Sequence, residues 1–526
     1  MAGNGPGTAK NKDHPPMSLS DEEFKEMVDA AADNDEPSLQ ASWALGLRLM
    51  LDAIAELDYS ARQESALSKL CDAGARYGLR QLQCEMDPRL WRRLSRKARE
   101  SLRRDLRRNL VRLTRPSFEL ERTSFGLALT ALGSLEHDTD GKVAERMFLG
   151  RKPGDRLSSL FRKFPVLARL WFQLISQWRG HITEVITRFT LDRSALSRAF
   201  FGGRPVGKIS DLRLGLSDSH NNGRTVVRLQ LEEGPVIYKP RSGIGEWEWF
   251  SLLNWMNSRS FQPKLRAARV LPRKGYCWME QVEPASCENE KAARRFYQRM
   301  GGMIAAAYLI RAVDCHRDNV IAVGEYPILV DVDALWHVSP VTKTQSLANH
   351  LYRTGFFPDS NRRSLLSRSS ALGPGTTGHH RARVASRSLK PADYEREITS
   401  GFAKAWRCIL GTKNRRHAFA GRLRRICSRE RRWIYWATEK YVAIRQASIQ
   451  PVALRSGTER DLLIVRLCTR ATVTSALVDG EVHDLKQLDI PYFVRKSSAQ
   501  VPSDPSTLPL GLIKAIQRGL GAEPSL

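Results

Sequence analysis

Apolar residues fall into distinct regimes along the chain. Between about 18 and 200 they recur at three- and four-residue steps, as in Trp91, Leu94, Ala98, Leu102, Leu106, Leu110 and Leu113. That spacing stacks them on one helical face. The opposite face carries Arg92, Arg93, Arg96, Lys97, Arg99, Arg103, Arg104, Arg107 and Arg108. A basic amphipathic helix is therefore predicted, which either docks an acidic partner or is a solvated face. After Gly202-Gly203 the pattern changes to short β-rich runs at 211–216, 225–231 and 235–239. Helical spacing returns at 246–256 and 292–313, and Tyr326 to Asp331 reads as a compact apolar strand ending in a carboxylate. Residues 340–390, rich in Ser, Arg, Gly and His, read as a long mobile loop. Helices resume near Asp393 and continue past Tyr441. Residues 1–17 read as a disordered lead-in, and no internal repeat is evident.

At 526 residues and 42% hydrophobic, the chain can bury a large core and is long for one domain, so two or three units are expected. The net charge of +28 changes the picture more. Such a field draws in polyanions: nucleic acid, acidic peptides or phosphates, unless it is a solvated surface with no single partner. Aromatic content of 8%, without strands interleaving basic and aromatic residues, argues against a nucleic-acid-binding sheet. The polar N-terminus lacks the apolar core of a signal peptide, and Met303–Ile310 is too short to span a bilayer. A cytoplasmic protein with no membrane span is expected. Eight cysteines without a Cys-x-x-Cys pair suit reduced thiols. The adjacent Cys315-His316 finds no second Cys or His cluster to complete a zinc site.

The sharpest chemical pattern is Asp314-Cys315-His316-Arg317-Asp318-Asn319, followed by Asp331 after the apolar strand. Kinases place an Asn five residues after a catalytic Asp and a metal-binding Asp after a returning strand. Here Asn319 is five residues beyond Asp314, and Asp331 is 17 beyond. Phosphoryl transfer needs one carboxylate to orient the attacking hydroxyl and oxygen ligands to hold Mg²⁺. Lys239, ending a β-rich run, is either a phosphate-binding strand Lys or a surface Lys. Ser217 to Arg224 lies between two strand-like runs, where a tight turn could cover phosphates.

These elements, in this order, resemble the dehydratase domain of class II lanthipeptide synthetases, the LanM family. Asp218, His220, Asn221 and Gly223 fit the family's Asp-x-His-Asn loop, and Tyr238-Lys239-Pro240-Arg241-Ser242 its Tyr-Lys-Pro-Arg run. Asp314-x-His316-x-x-Asn319 precedes Gly324-Glu325-Tyr326-Pro327 as in that family. Arg353-Thr354-Gly355 and Ser370-Ala371-Leu372-Gly373 resemble its activation-loop landmarks. Arg432 and Thr438 followed by Tyr441 resemble its elimination signature, and Asp489-Ile490-Pro491-Tyr492-Phe493 is a further landmark. The resemblance covers roughly residues 155–500.

The resemblance implies an α+β fold: a lipid-kinase-like bilobal core at 201–395, flanked by helical regions at 18–200 and 396–526. It implies ATP and Mg²⁺ as cofactors. Lys239 would contact the ATP phosphates, with Asp218 and His220 above them. Asp314 would orient the substrate hydroxyl, His316 would support the catalytic loop, and Asn319, Asp331 and Asp333 would hold the metal. Arg432 and Thr438 would assist phosphate elimination, with His220 and Lys239 as candidate bases for the Cα proton. The implied activity is phosphorylation of Ser and Thr in a precursor peptide, then elimination to dehydroamino acids. The alternatives are phosphotransfer without elimination and a basic non-catalytic binding module. The implied partners are a precursor peptide with an acidic leader and a separate cyclase. Three departures stand out: Asp333 replaces a Glu, Trp436 replaces a second Arg, and no zinc-cyclase signature follows.

Overall fold

A computed structural model describes residues 66–132, 153–336, 347–358, 370–373, 378–470, 475–496 and 508–521, with Met50 and Phe148 besides. The 1–17 lead-in lies outside the described residues. The chain divides into two compact units. The first takes Met1–Ser194, Pro205–Gly234 and Thr438–Pro491; the second takes Ala195–Arg204, Pro235–Ala437 and Tyr492–Leu526.

In the first unit, helices Ala66–Glu85 and Arg96–Ala131 bury their apolar faces. Leu94, Ala98, Leu102, Leu106, Leu110 and Leu113 are all buried, as the sequence spacing requires. Ser95 explains where the long helix starts. Its Oγ accepts from the Ala98 N–H at 3.0 Å and donates to the Ser210 carbonyl at 2.7 Å. One side chain thus caps the helix and ties it to the strand Ile209–Arg213. That strand pairs antiparallel with Val227–Leu231. The 438–491 segment adds helices Thr438–Ala447, Gly457–Cys468 and Ser475–Lys486. Buried Arg460 donates to the Ser448, Leu485 and Lys486 carbonyls, closing those helices on one another. Tyr441 donates to buried Glu481, which Arg470 also holds.

In the second unit, Pro235–Lys239, Tyr276–Glu280 and Val270–Arg273 pair antiparallel in that spatial order. In the same unit, helices Glu290–Leu309 and Glu395–Leu410 pack against each other at very close range. A Cβ on Gly301 would lie 1.9 Å from the Ile398 carbonyl oxygen, and one on Gly401 1.9 Å from that of Gln298. Only glycine permits this backbone contact. The hairpin Val320–Val323 and Tyr326–Leu329 follows. Within 340–390, the described residues form a helix at Leu347–Tyr352 and a small hairpin at Arg383–Val384 and Arg387–Ser388. The helical run read from 393 past 441 is interrupted: Arg431–Trp433 is a strand paired with Phe493–Arg495. The aromatic and branched residues Trp433, Ile434 and Tyr435 suit extended backbone better than a helix. Among the described residues no helix is long and apolar enough to cross a membrane.

Candidate active site

The second unit gathers seven of the singled-out residues around one buried ion cluster. Lys239, at the end of its strand, points Nζ at Glu246 Oε1, 2.8 Å away, and at the Val330 carbonyl, 2.6 Å away. Glu246 opens the helix Ile244–Ser258 and is fully buried. Arg241 joins Glu246 at 2.9 Å, Asp331, and Asp333 at 3.2 Å. Burial works against every charge here, and the mutual fields decide the outcome. Burial would push the Lys239 ammonium down, but Glu246 and Asp331 hold it above its ordinary value. Burial would push Glu246 up, but Lys239 and Arg241 hold it well below the carboxylate range. Asp331 is likewise lowered by Arg241 and Lys239 against its burial. Asp333 goes the other way: burial and the neighbouring Asp331 charge raise it despite Arg241.

The helix carrying Glu246 approaches Asp331 through Gly245. A Cβ there would lie 2.2 Å from the Val332 carbonyl oxygen. The strand Lys, the helix Glu and the carboxylate pair are thus set by direct backbone contact.

The loop at 314–319 is equally constrained. Asp314 has φ 69°, a left-handed conformation that Asp tolerates better than most residues. His316 Nδ1 accepts from the Asp318 N–H at 3.2 Å and caps the 3₁₀ turn Arg317–Asn319. That leaves the ring hydrogen on Nε2, which lies 3.5 Å from Asp314 Oδ1. Asn319 Nδ2 donates to the Asp314 carbonyl at 2.8 Å, which leaves the amide oxygen as its acceptor end. The landmark stretches farther along brace this loop. The Cys315 N–H donates to the Thr354 carbonyl at 2.8 Å, His316 bridges Ser370, and Leu372 bonds back to Phe356.

Arg432 lies in the same cluster. Its Nη1 is 3.7 Å from Asp314 Oδ2 and 4.0 Å from Asp333 Oδ2, and its N–H donates to the Asp333 carbonyl at 3.1 Å. Despite burial, Asp333 and Asp314 hold its guanidinium above the ordinary value. Tyr492 completes the wall: its hydroxyl donates to Asp333 Oδ2 at 3.2 Å, and Arg432 sits 5.4 Å from its ring centre.

Asp218, His220 and Thr438 belong to the first unit. Asn221, Asn222 and Gly223 all take positive φ. Asp489 holds that turn, accepting the Asn222 N–H at 2.6 Å and the Gly223 N–H at 2.9 Å. His220 Nδ1 is 2.6 Å from the Ile490 carbonyl; a carbonyl only accepts, so Nδ1 carries the hydrogen and Nε2 the lone pair. Asp218 pairs with Arg445 at 3.1 Å. Thr438 begins the helix that carries Arg445.

Among the described residues no three His, Cys, Asp or Glu side chains form a metal cage. The donors present are the Asp331 and Asp333 carboxylates and the Asn319 amide oxygen. This hard-oxygen set suits Mg²⁺, which is held through one or two carboxylates plus phosphates rather than in an all-protein cage.

Four participants were not assigned roles from sequence: Glu246, Arg241, Tyr492 and Asp489. A kinase strand Lys requires a helix Glu partner. Glu246, seven residues beyond Lys239 in the next helical run, carried that signal. The other three stood inside quoted motifs, but nothing in their spacing reveals long-range partners.

The family described as Domain of unknown function (DUF4135) matches this chain over residues 164–380 and 371–496. The chain is also 22% identical over 391 residues to the lacticin 481/lactococcin biosynthesis protein LcnDR2 of Lactococcus lactis subsp. lactis. That alignment takes in 65% of this chain and 41% of the relative, so the chain spans less than half of the relative's length.

Proposed function

This chain belongs to the DUF4135 family, and from that membership and its ion cluster we propose that it acts in lanthipeptide biosynthesis as an ATP-dependent dehydratase of precursor-peptide Ser and Thr. The observation that carries the reading is the buried Lys239–Glu246 pair joined through Arg241 to Asp331 and Asp333. Kinases need a strand Lys held by a helix Glu beside a metal-binding Asp. A lipid-kinase-like core is the fold this arrangement suits.

Asn319, Asp331 and Asp333 would hold Mg²⁺, and bound Mg-ATP supplies the phosphoryl group. Lys239, its charge secured by Glu246, would contact the phosphates. Asp314 accepts the hydrogen bond of the substrate hydroxyl and aims its oxygen, while His316 and Asn319 hold the loop. In this first reaction the substrate oxygen would bond to the γ-phosphorus, the bond to ADP would break, and the hydroxyl proton would pass to the Asp314 carboxylate. In the second, a general base takes the Cα proton, the C–H electron pair forms the Cα=Cβ double bond, the Cβ–O bond breaks, and phosphate leaves with that bond's electrons. Arg432 is the cation for that leaving charge. One such group is worth ~10²–10³ in rate.

Trp436, standing where a second Arg is expected, favours a second reading: transfer that stops at the phosphopeptide. Mass spectrometry of a Ser/Thr-containing precursor peptide treated with enzyme, ATP and Mg²⁺ separates the two. Dehydration removes one water per residue, whereas transfer alone adds one phosphoryl group. No ATP-dependent mass change in any such peptide would overturn both.

A further inference from the structure

The first unit holds a cavity of about 480 Å³, bordered on one side by the turn that carries Asp218 and Gly223. Its apolar lining comes from Leu113, Leu174, Trp178, Leu214, Ile449 and Leu488. Arg108, Arg112, Arg213 and Arg445 stand around it, with two carboxylates, Asp105 and Asp218. Both carboxylates are taken: Asp105 by Arg108 and Asp218 by Arg445. Among the described residues no carboxylate pairs with Arg112 or Arg213, and both are exposed. Four guanidinium groups against two carboxylates leave two positive charges. Buried His181 adds none near neutrality, because burial pushes its imidazole down to about 4.

The basic face extends one helical turn beyond the cavity, to Arg104. Arg104, Arg108 and Arg112 are exposed on successive turns of the Arg96–Ala131 helix. Residues four apart on a helix rise about 6 Å. Side chains two apart on an extended peptide are separated by about 6.7 Å. We propose that this cavity and the arginine row form a docking site for an acidic peptide segment. The segment lies extended, with carboxylates at alternate positions meeting the arginines and an apolar side chain entering the cavity. A nucleic-acid strand fits less well, since Asp105 and Asp218 would face its phosphates and the apolar lining is aliphatic apart from Trp178. That the peptide is part of the enzyme's substrate rests on the proposed function; the site itself does not.

The test measures fluorescence anisotropy of a fluorescein-labelled 12-residue peptide of alternating Glu and Leu, with the full chain and no nucleotide. Arg112→Glu with Arg213→Glu should weaken binding about tenfold or more. The neutral pair Arg112→Gln with Arg213→Gln should weaken it less while leaving thermal unfolding unchanged. Arg396→Glu with Arg407→Glu makes the same charge change in the second unit and should leave affinity within about twofold. Equal losses in both charge-reversal pairs would overturn the proposal in favour of the protein's overall field. So would unchanged affinity in the cavity variants, or tighter cavity-dependent binding of a single-stranded RNA of equal length. Because no nucleotide is present, failure of the catalytic reading leaves this result intact.

Discussion

Replacing Glu246 with Gln tests the ion cluster at its most buried point. Glu246 is fully buried and receives Lys239 Nζ at 2.8 Å and Arg241 Nη2 at 2.9 Å. Glu246→Gln keeps the shape and one acceptor but leaves two buried cations sharing less negative charge. Removing one partner of a buried pair costs about 3–5 kcal/mol, and the retained acceptor places this change near the lower end. At about 2–4 °C per kcal/mol for a unit of this size, the unfolding transition should fall by roughly 6–12 °C near neutral pH. The pH dependence has a fixed sign. Burial raises Glu246, but Lys239 and Arg241 outweigh it and depress the folded carboxyl well below its unfolded value. Its stabilisation is therefore complete above the unfolded value of about 4.3 and is lost as pH falls toward the folded one. The gap between wild type and variant should narrow on acidification below about pH 4.5. Differential scanning fluorimetry across a pH series reads this directly. The double variant Lys239→Met with Glu246→Leu should regain part of the loss, because it removes a charge of each sign. A variant within about 1 °C of wild type at pH 7, or a gap that widens in acid, would refute the reasoning.

Other outcomes follow from single contacts. Arg432→Ala should slow elimination by ~10²–10³ and let phosphopeptide accumulate, measured by mass spectrometry with time. Gly245→Ala puts a Cβ 2.2 Å from the Val332 carbonyl oxygen, so backbone beside Asp331 must move. It should cost about 1–3 kcal/mol in thermal unfolding and lower the phosphotransfer rate. Asp489→Ala orphans the Asn222 and Gly223 N–H groups, so stability should fall by about 1–3 kcal/mol in the same assay.

The periodic face from Leu94 to Leu113 was legible because helix burial repeats along the sequence. The spacing of Asp314, Asn319 and Asp331 was legible because a loop and a returning hairpin fix their separation locally. The strand at Arg431–Trp433 was not, since its partner Phe493–Arg495 lies some sixty residues away and the run is short. The Tyr492 contact was hidden for the same reason, since it bridges elements whose packing no local pattern encodes, whereas Glu246 stood only seven residues beyond Lys239 in the next helical run. Gly301 and Gly401 show the reverse limit, two ordinary residues in sequence whose lack of a side chain sets a helix crossing.

In the proposed function one enzyme first places a phosphoryl group on peptide hydroxyls and then eliminates it as phosphate. A quenched time course with γ-labelled ATP follows that group directly. In wild type, label should rise on the peptide and then pass to free phosphate as the dehydrated product forms. Asp331→Ala should leave the peptide unlabelled, and Arg432→Ala should hold the label on the peptide. Dehydrated product appearing without any labelled peptide, or label transfer undiminished in Asp331→Ala, would contradict the account.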